Sequence, residues 1–115
     1  MEQDLELTPR MAAVVKIFLR DVAEPQFGFN LMQQLRISAG TLYPLLTKLR
    51  RAGWLAAETE DIDPKIAGRP ARRYYTLTPG GAVAAVRALQ QSQALYEVPR
   101  SARRVGRPGL ARGTT

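Results

Sequence analysis

The chemistry within reach of this chain is set by where its cations lie and by two residue types it lacks. Arg69, Arg72 and Arg73 fall within five residues, in the stretch AGRPARRYYTLTPGG (67–81), and Tyr74 and Tyr75 follow at once. Lys65 extends that cluster, and Lys48, Arg50 and Arg51 form another. Guanidinium and ammonium groups at this density suit a polyanion such as DNA or RNA; the plainer reading is a solvated charged face. The chain has no cysteine and no histidine. That excludes disulfides, thiolate or imidazole nucleophiles, and zinc sites built on either residue. Glu58, Glu60, Asp61 and Asp63 remain as acids for an enzyme or a cation site. They fall in a hairpin and its loop, where a solvated acidic stretch is the simpler reading. No catalytic residue, no metal and no cofactor is therefore expected.

The charge is unevenly distributed. The net charge is +7 over 115 residues, and residues 99–115 contribute +5 of it through Arg100, Arg103, Arg104, Arg107 and Arg112. Overall basicity thus says little about a folded domain, and the local clusters say more. The tail is rich in Pro, Gly and Arg and reads as disordered. Its GRPG (106–109) is an incomplete match to the Arg-Gly-Arg-Pro core of minor-groove AT-hooks, with Val105 where the first arginine belongs. A merely solvating or non-specific tail is the stronger reading. Hydrophobic content is 45%, ordinary for a globular domain. No apolar run is long enough to span a bilayer, and MEQDLEL is not a secretion signal, so no membrane partner and a cytoplasmic location are expected.

The elements that must position these cations follow from spacing. Thr8-Pro9 starts a helix, with a capping hydroxyl and then a proline whose missing N–H does no harm. Met11, Val14, Val15, Phe18, Leu19 and Val22 recur at helical spacing as core. Residues 21–27 read as a connection. Gly28 opens a short second helix with Phe29, Met32 and Leu35 on one side and Leu31 nearby. Arg36-Ile37 is a tight joint. Ser38 then caps a third helix running to Gly53, with Leu42, Leu45, Leu46 and Leu49 inward. At 100° per residue, Gly40, Pro44, Thr47 and Arg51 point outward, flanked by Thr41 and Lys48 on one side and Tyr43 on the other. Gly40 is a poor helix former. Two explanations stand side by side: close approach to another molecule, or relief of a crowded first turn.

Residues 54–60 alternate as a strand, with Leu55, Ala57 and Thr59 on one side. Residues 61–70 form a turn-rich loop. Arg72 to Leu77 is a second strand, with Tyr75 and Leu77 on one face. Trp54, at the corner between the third helix and the first strand, reads as core. Thr78-Pro79 repeats the helix-start signal, and a last helix runs to about Val98. Ala82, Val86, Leu89, Gln93 and Tyr96 form a seam along it, broadened by Ala85, Ala88 and Leu95, to be buried against the domain or a second copy.

Three helices, a hairpin and a further helix is the element order of a winged helix-turn-helix domain. The expected fold is mainly α with a small β-hairpin: a three-helix core, a wing and a C-terminal dimerisation helix. The boundaries are 1–77 for the DNA-binding domain, 78–98 for the dimerisation helix and 99–115 for the basic tail. The wing carries Lys65, Arg69, Arg72 and Arg73.

The sequence also resembles the PadR-type transcriptional regulators. The resemblance is carried by GFNLMQQL (28–35), SAGTLYPLLTKLRRAGWL (38–55) and GRPARRYYTLTPGG (68–81), three blocks in the family's order, and extends over about residues 8–97. The joint between Leu35 and Ser38 is shorter than in many members. The resemblance implies a bacterial, homodimeric repressor that binds double-stranded DNA at a near-palindromic operator. It also leaves room for a small hydrophobic or aromatic effector, as some members bind such ligands, although no polar constellation in the last helix identifies one. On this reading Ser38, Gly40, Thr41, Tyr43, Pro44, Thr47, Lys48 and Arg51 form the recognition surface. The rival reading is a winged helix that binds protein and no specific DNA. RNA is a weaker alternative, since stacking platforms are not evident.

Overall fold

The computed structural model describes residues 2–96, and side chains as far as Ser92. Helix α1 (Pro9–Arg20) begins where its signal lies: the Thr8 hydroxyl accepts from the Met11 N–H at 3.1 Å, a cap worth about 1 kcal/mol. Helices α2 (Gly28–Leu35) and α3 (Ala39–Arg51) follow, then strand β2 (Leu55–Thr59), strand β3 (Arg73–Leu77) and helix α5 (Pro79–Tyr96). Two small elements complete the order: strand β1 (Gln26–Phe27) and the single-turn helix α4 (Pro64–Ala67). The result is mainly helical with a small antiparallel sheet, a winged helix-turn-helix.

The sheet has three strands in the order β1-β3-β2, not the two of a bare hairpin. Gln26 pairs with Tyr75 and Phe27 with Tyr74, so the connection after α1 contributes an edge strand. Leu55 lies opposite Leu77 and Thr59 opposite Arg73. The loop expected over 61–70 instead holds α4, because the Asp63 carboxylate accepts from the Lys65 N–H at 2.9 Å and Gly68, at φ 73°, closes the turn.

The core joins α1, α2, α3 and the sheet. Met11, Val14, Val15, Phe18, Leu31, Leu42, Leu46, Leu49 and Trp54 are fully enclosed. Trp54 is also tied by its indole N–H to the Gln3 carbonyl at 2.7 Å, and the Gln3 N–H donates to Ala52 at 2.8 Å. The segment before α1 thus lies across the end of α3, with Leu7 buried.

Three packing expectations need correction. Val22 lies beyond the end of α1 and is 40% exposed. Phe29 is 63% exposed while Leu31 is enclosed. The inward face of α2 runs Gly28, Leu31, Met32, Leu35, a helical series starting one residue earlier than the bulky side chain suggested. In α5 the face against the core is Gly81, Ala84, Ala85 and Ala88, with Ala82 and Leu89 half-buried and Val83 and Val86 exposed. Gly81 sits where a Cβ would strike the Trp54 backbone, so the start of α5 docks closer than any other residue would allow. Thr78 locks this corner: its hydroxyl donates to the Gly53 carbonyl and accepts from the Gly81 N–H, each at 2.8 Å.

Candidate nucleic-acid interface

Helix α3 is held from behind by Leu42, Leu46 and Leu49, none of them exposed at all. Opposite them, Ser38, Gly40, Tyr43, Pro44, Lys48 and Arg51 are exposed, and Thr41 and Thr47 are half-buried. The face derived from the leucine spacing is therefore the solvent face. Ser38 precedes the helix without a side-chain cap bond to its backbone; its hydroxyl lies 3.3 Å from that of Thr41.

Gly40 and Pro44 form a pair one helical turn apart. Pro44 has no N–H, so the Gly40 carbonyl loses its i→i−4 partner on the outward face. A Cβ at Gly40 would meet nothing nearer than the Ser38 hydroxyl at 3.9 Å. The first turn is not crowded, which removes one of the two explanations for this glycine. Tyr43 is 39% exposed, and its hydroxyl end rests on Gly28 where a Cβ would otherwise project. The tyrosine thus crosses from the outward face of α3 to the start of α2.

The wing presents its cations unequally. Lys65, Arg72 and Arg73 are exposed. Arg73 lies 5.8 Å from the centre of the Tyr75 ring, within cation–π range of a tyrosine that anchors β3 in the core. Arg69 differs: its guanidinium grips Glu60, Nη1 to Oε1 at 2.7 Å and Nη2 to Oε2 at 3.2 Å. The same Glu60 oxygen accepts from the Arg72 N–H at 2.8 Å. Hydrogen bonds from Arg69 and from the Arg72 backbone pull the Glu60 carboxyl down from 4.5 to about 2, and Glu60 in turn raises Arg69. The acids of this hairpin are therefore not simply solvated: Glu60 pins the wing and Asp63 caps α4. Nearby, Tyr74 is raised by the charge of Glu58, and its ring lies against Phe27 with centroids 5.8 Å apart.

Of the expected seam in α5, Ala82, Val86 and Leu89 lie on the outer and flanking surface described above. The side chains of Gln93 and Tyr96 lie outside the described residues, as does the basic tail 99–115. Val22, Val83 and Val86 with Leu19 and Ala82 line a shallow apolar groove between the end of α1 and α5. Cations outside the two clusters include Arg10 in the first turn of α1 and Arg36 in the joint between α2 and α3, both exposed. Arg36 has φ 56°, the left-handed conformation that ends α2. No helix among the described residues is long and apolar enough to cross a membrane.

Comparison with known proteins agrees with this geometry. Residues 19–87 match the model of the transcriptional regulator PadR-like family. Among solved structures, a PadR-like transcription factor from bacteroid fragilis is 27% identical, with a TM-score of 0.59 over 75% of this chain and 84% of that one. A Streptococcus transcriptional regulator is 25% identical, with a TM-score of 0.56 over 86% and 91% of the two chains. AbfR bound to DNA, in its overoxidized form, shares the fold at 20% identity, with a TM-score of 0.61 over 89% and 68%. A search of curated protein sequences returned no significant match. With more than half its length matched, this chain belongs to the PadR-like family of transcriptional regulators.

Proposed function

We propose that the chain is a cytoplasmic repressor that binds a near-palindromic operator in double-stranded DNA as a homodimer. The observation that carries this reading is the outward face of α3. Gly40, Tyr43, Pro44, Lys48 and Arg51 are exposed on a helix whose opposite side is locked in the core. A rigid helix with a smooth glycine–proline start and cationic end suits entry into a major groove. Ser38 and Lys48 would meet phosphates, and Thr41 and Tyr43 base edges or the adjoining backbone, with Thr47 and Arg51 further along the groove. Lys65, Arg72 and Arg73 would meet phosphates from the wing, and Arg69 would hold the wing in shape. AbfR, on the same fold, is solved with DNA bound.

Two copies would pair through α5, with Ala82, Val86 and Leu89 contributing, and Gln93 and Tyr96 extending the seam. The exposed valines of α5 and Val22 support that pairing. The boundaries 1–77, 78–98 and 99–115 then separate DNA reading, pairing and a general cationic tail. A small hydrophobic or aromatic effector would act by altering the pairing. Footprinting on the chain's own upstream region tests the proposal: a protected site with two related halves is expected. Binding without sequence preference would favour the protein-interaction reading.

A further inference from the structure

We infer that Arg10 and Arg36 form a second phosphate grip, beside α3, that holds one DNA strand along the Thr41 edge of that helix. The inference rests on the DNA-binding reading above and adds two residues to it. A cleft of about 750 Å³ separates the start of α1 from the joint between α2 and α3. Thr8, Arg10, Leu35, Arg36, Thr41 and Leu45 are among its walls, and no acid among the described residues lines it. Leu35, Ile37 and Leu45 form an apolar base packed on the core, so the walls are fixed in place. Thr41 belongs both to this cleft and to the proposed reading face, which makes the two surfaces continuous.

Both arginines are exposed, and among the described residues neither enters an ion pair. Two uncompensated cations brought by different elements to one cleft that also holds Thr41 make a pair suited to neighbouring phosphates of one strand. Arginine donates to phosphate oxygens in a forked geometry, which positions a duplex without reading its sequence. The conformation of Arg36 points the same way. At φ 56° and ψ 47° glycine carries no Cβ penalty, and folding alone would favour it. An arginine there contributes a charge that a glycine would not.

Full-length protein is titrated at several salt concentrations on two duplexes: one carrying a site selected from random sequence by the unmodified protein, and its scrambled counterpart. Arg36→Gly should keep or raise the thermal midpoint while lowering the salt slope by about 0.9, and R10Q with R36G should lower it by about 1.8. Affinity should fall by similar factors on both duplexes. An unchanged slope in the double variant overturns the grip while leaving the DNA reading standing. A lower midpoint in R36G with an unchanged slope assigns Arg36 to folding and also overturns it. If the unmodified protein selects no site and does not bind the random-sequence duplexes offered to it, the DNA reading itself fails and takes the grip with it.

Discussion

Glu60 holds Arg69 by both carboxylate oxygens and, through one of them, also accepts the Arg72 N–H, so a single acid ties the two sides of the wing together. This joins the end of β2 to the start of β3 around α4, and the Glu60 N–H returns a bond to the Arg72 carbonyl at 2.8 Å. The folded carboxyl titrates below its unfolded value. Its stabilisation is therefore complete above pH 4.5 and lost as pH falls toward about 2. Acid unfolding of Glu60→Gln should be less steep across that window, with stability already lower at neutral pH. Amide exchange at α4 should quicken in the same variant. Both groups are solvent-accessible, so added salt should narrow the difference from the unmodified protein. Identical acid profiles would show that the wing does not depend on this grip.

The hydroxyl end of Tyr43 on α3 packs on Gly28 at the start of α2. A methyl at Gly28 would occupy the space of the tyrosine hydroxyl. Gly28→Ala should destabilise the fold by less than the roughly 1–3 kcal/mol of core overpacking, since the half-exposed Tyr43 ring can swing aside. Combining it with Tyr43→Leu should recover part of that loss, since the shorter side chain withdraws from Gly28. Denaturant melts of the two single variants and the pair measure the coupling; simple additivity would mean that the residues do not share this space.

How much of this was legible beforehand depends on how local each cause is. Thr8-Pro9 and Thr78-Pro79 announced α1 and α5 because a cap and its helix lie within four residues. Leu42, Leu46 and Leu49 fixed the phase of α3, and hence its outward face. Strand β1 was not legible: two residues become a strand only by pairing with Tyr74 and Tyr75, far along the chain. Helix α4 is hidden because Asp63, its cap, stands in the sequence among other acids. At Phe29 size argues for burial, whereas the inward series begins at Gly28. Arg69 was read with its sequence neighbours as a cation for DNA, but its partner Glu60 emerges only when the hairpin closes. Arg36 looked like a joint and nothing more, since its left-handed backbone is invisible in the residue type.

Gly40 separates folding from binding. The space around it admits a Cβ. Gly40→Ala should leave the fold intact and stabilise α3 by up to about 1 kcal/mol, as alanine is the better helix former. On DNA the same methyl should weaken binding, because the backbone would no longer approach as closely. Thr41→Ala should relax sequence preference, while Lys48→Ala should weaken operator and scrambled duplexes alike. Melting curves and binding titrations on the same preparations decide it. A Gly40→Ala protein that is both more stable and equally tight would place the recognition surface elsewhere.

Pairing is best probed at Val86, which is 44% exposed, rather than at Leu89, which is half-buried against its own domain. Val86→Glu should leave the monomer folded and shift sedimentation from dimer to monomer. Operator affinity should fall with it, since two recognition helices about one DNA turn apart, ~34 Å, bind as a unit. A monomeric unmodified protein at micromolar concentration would remove the homodimer from the proposal.

Wing and tail should differ in kind. Lys65, Arg72 and Arg73 carry free charge at places fixed by β3, α4 and the Glu60 grip. The five tail arginines are spread between Pro and Gly over 99–115, outside the described residues. Each phosphate neutralised contributes about 0.9 to the salt slope of binding. Deleting 99–115 should lower that slope by at most ~4.5, the limit if all five arginines are engaged. Operator and scrambled duplexes should weaken by similar factors, as general cationic attraction to phosphates carries no sequence information. Arg72→Ala with Arg73→Ala should instead cost more on the operator, where the wing must dock in register with α3. Arg69→Ala should imitate that loss by a different route: it frees the Glu60 carboxylate, loosens α4 and misplaces the cations that remain. Salt titrations on both duplexes compare the three proteins directly. If tail deletion abolishes operator preference while the wing variants keep it, the roles are reversed, and the GRPG of residues 106–109 becomes the minor-groove reader.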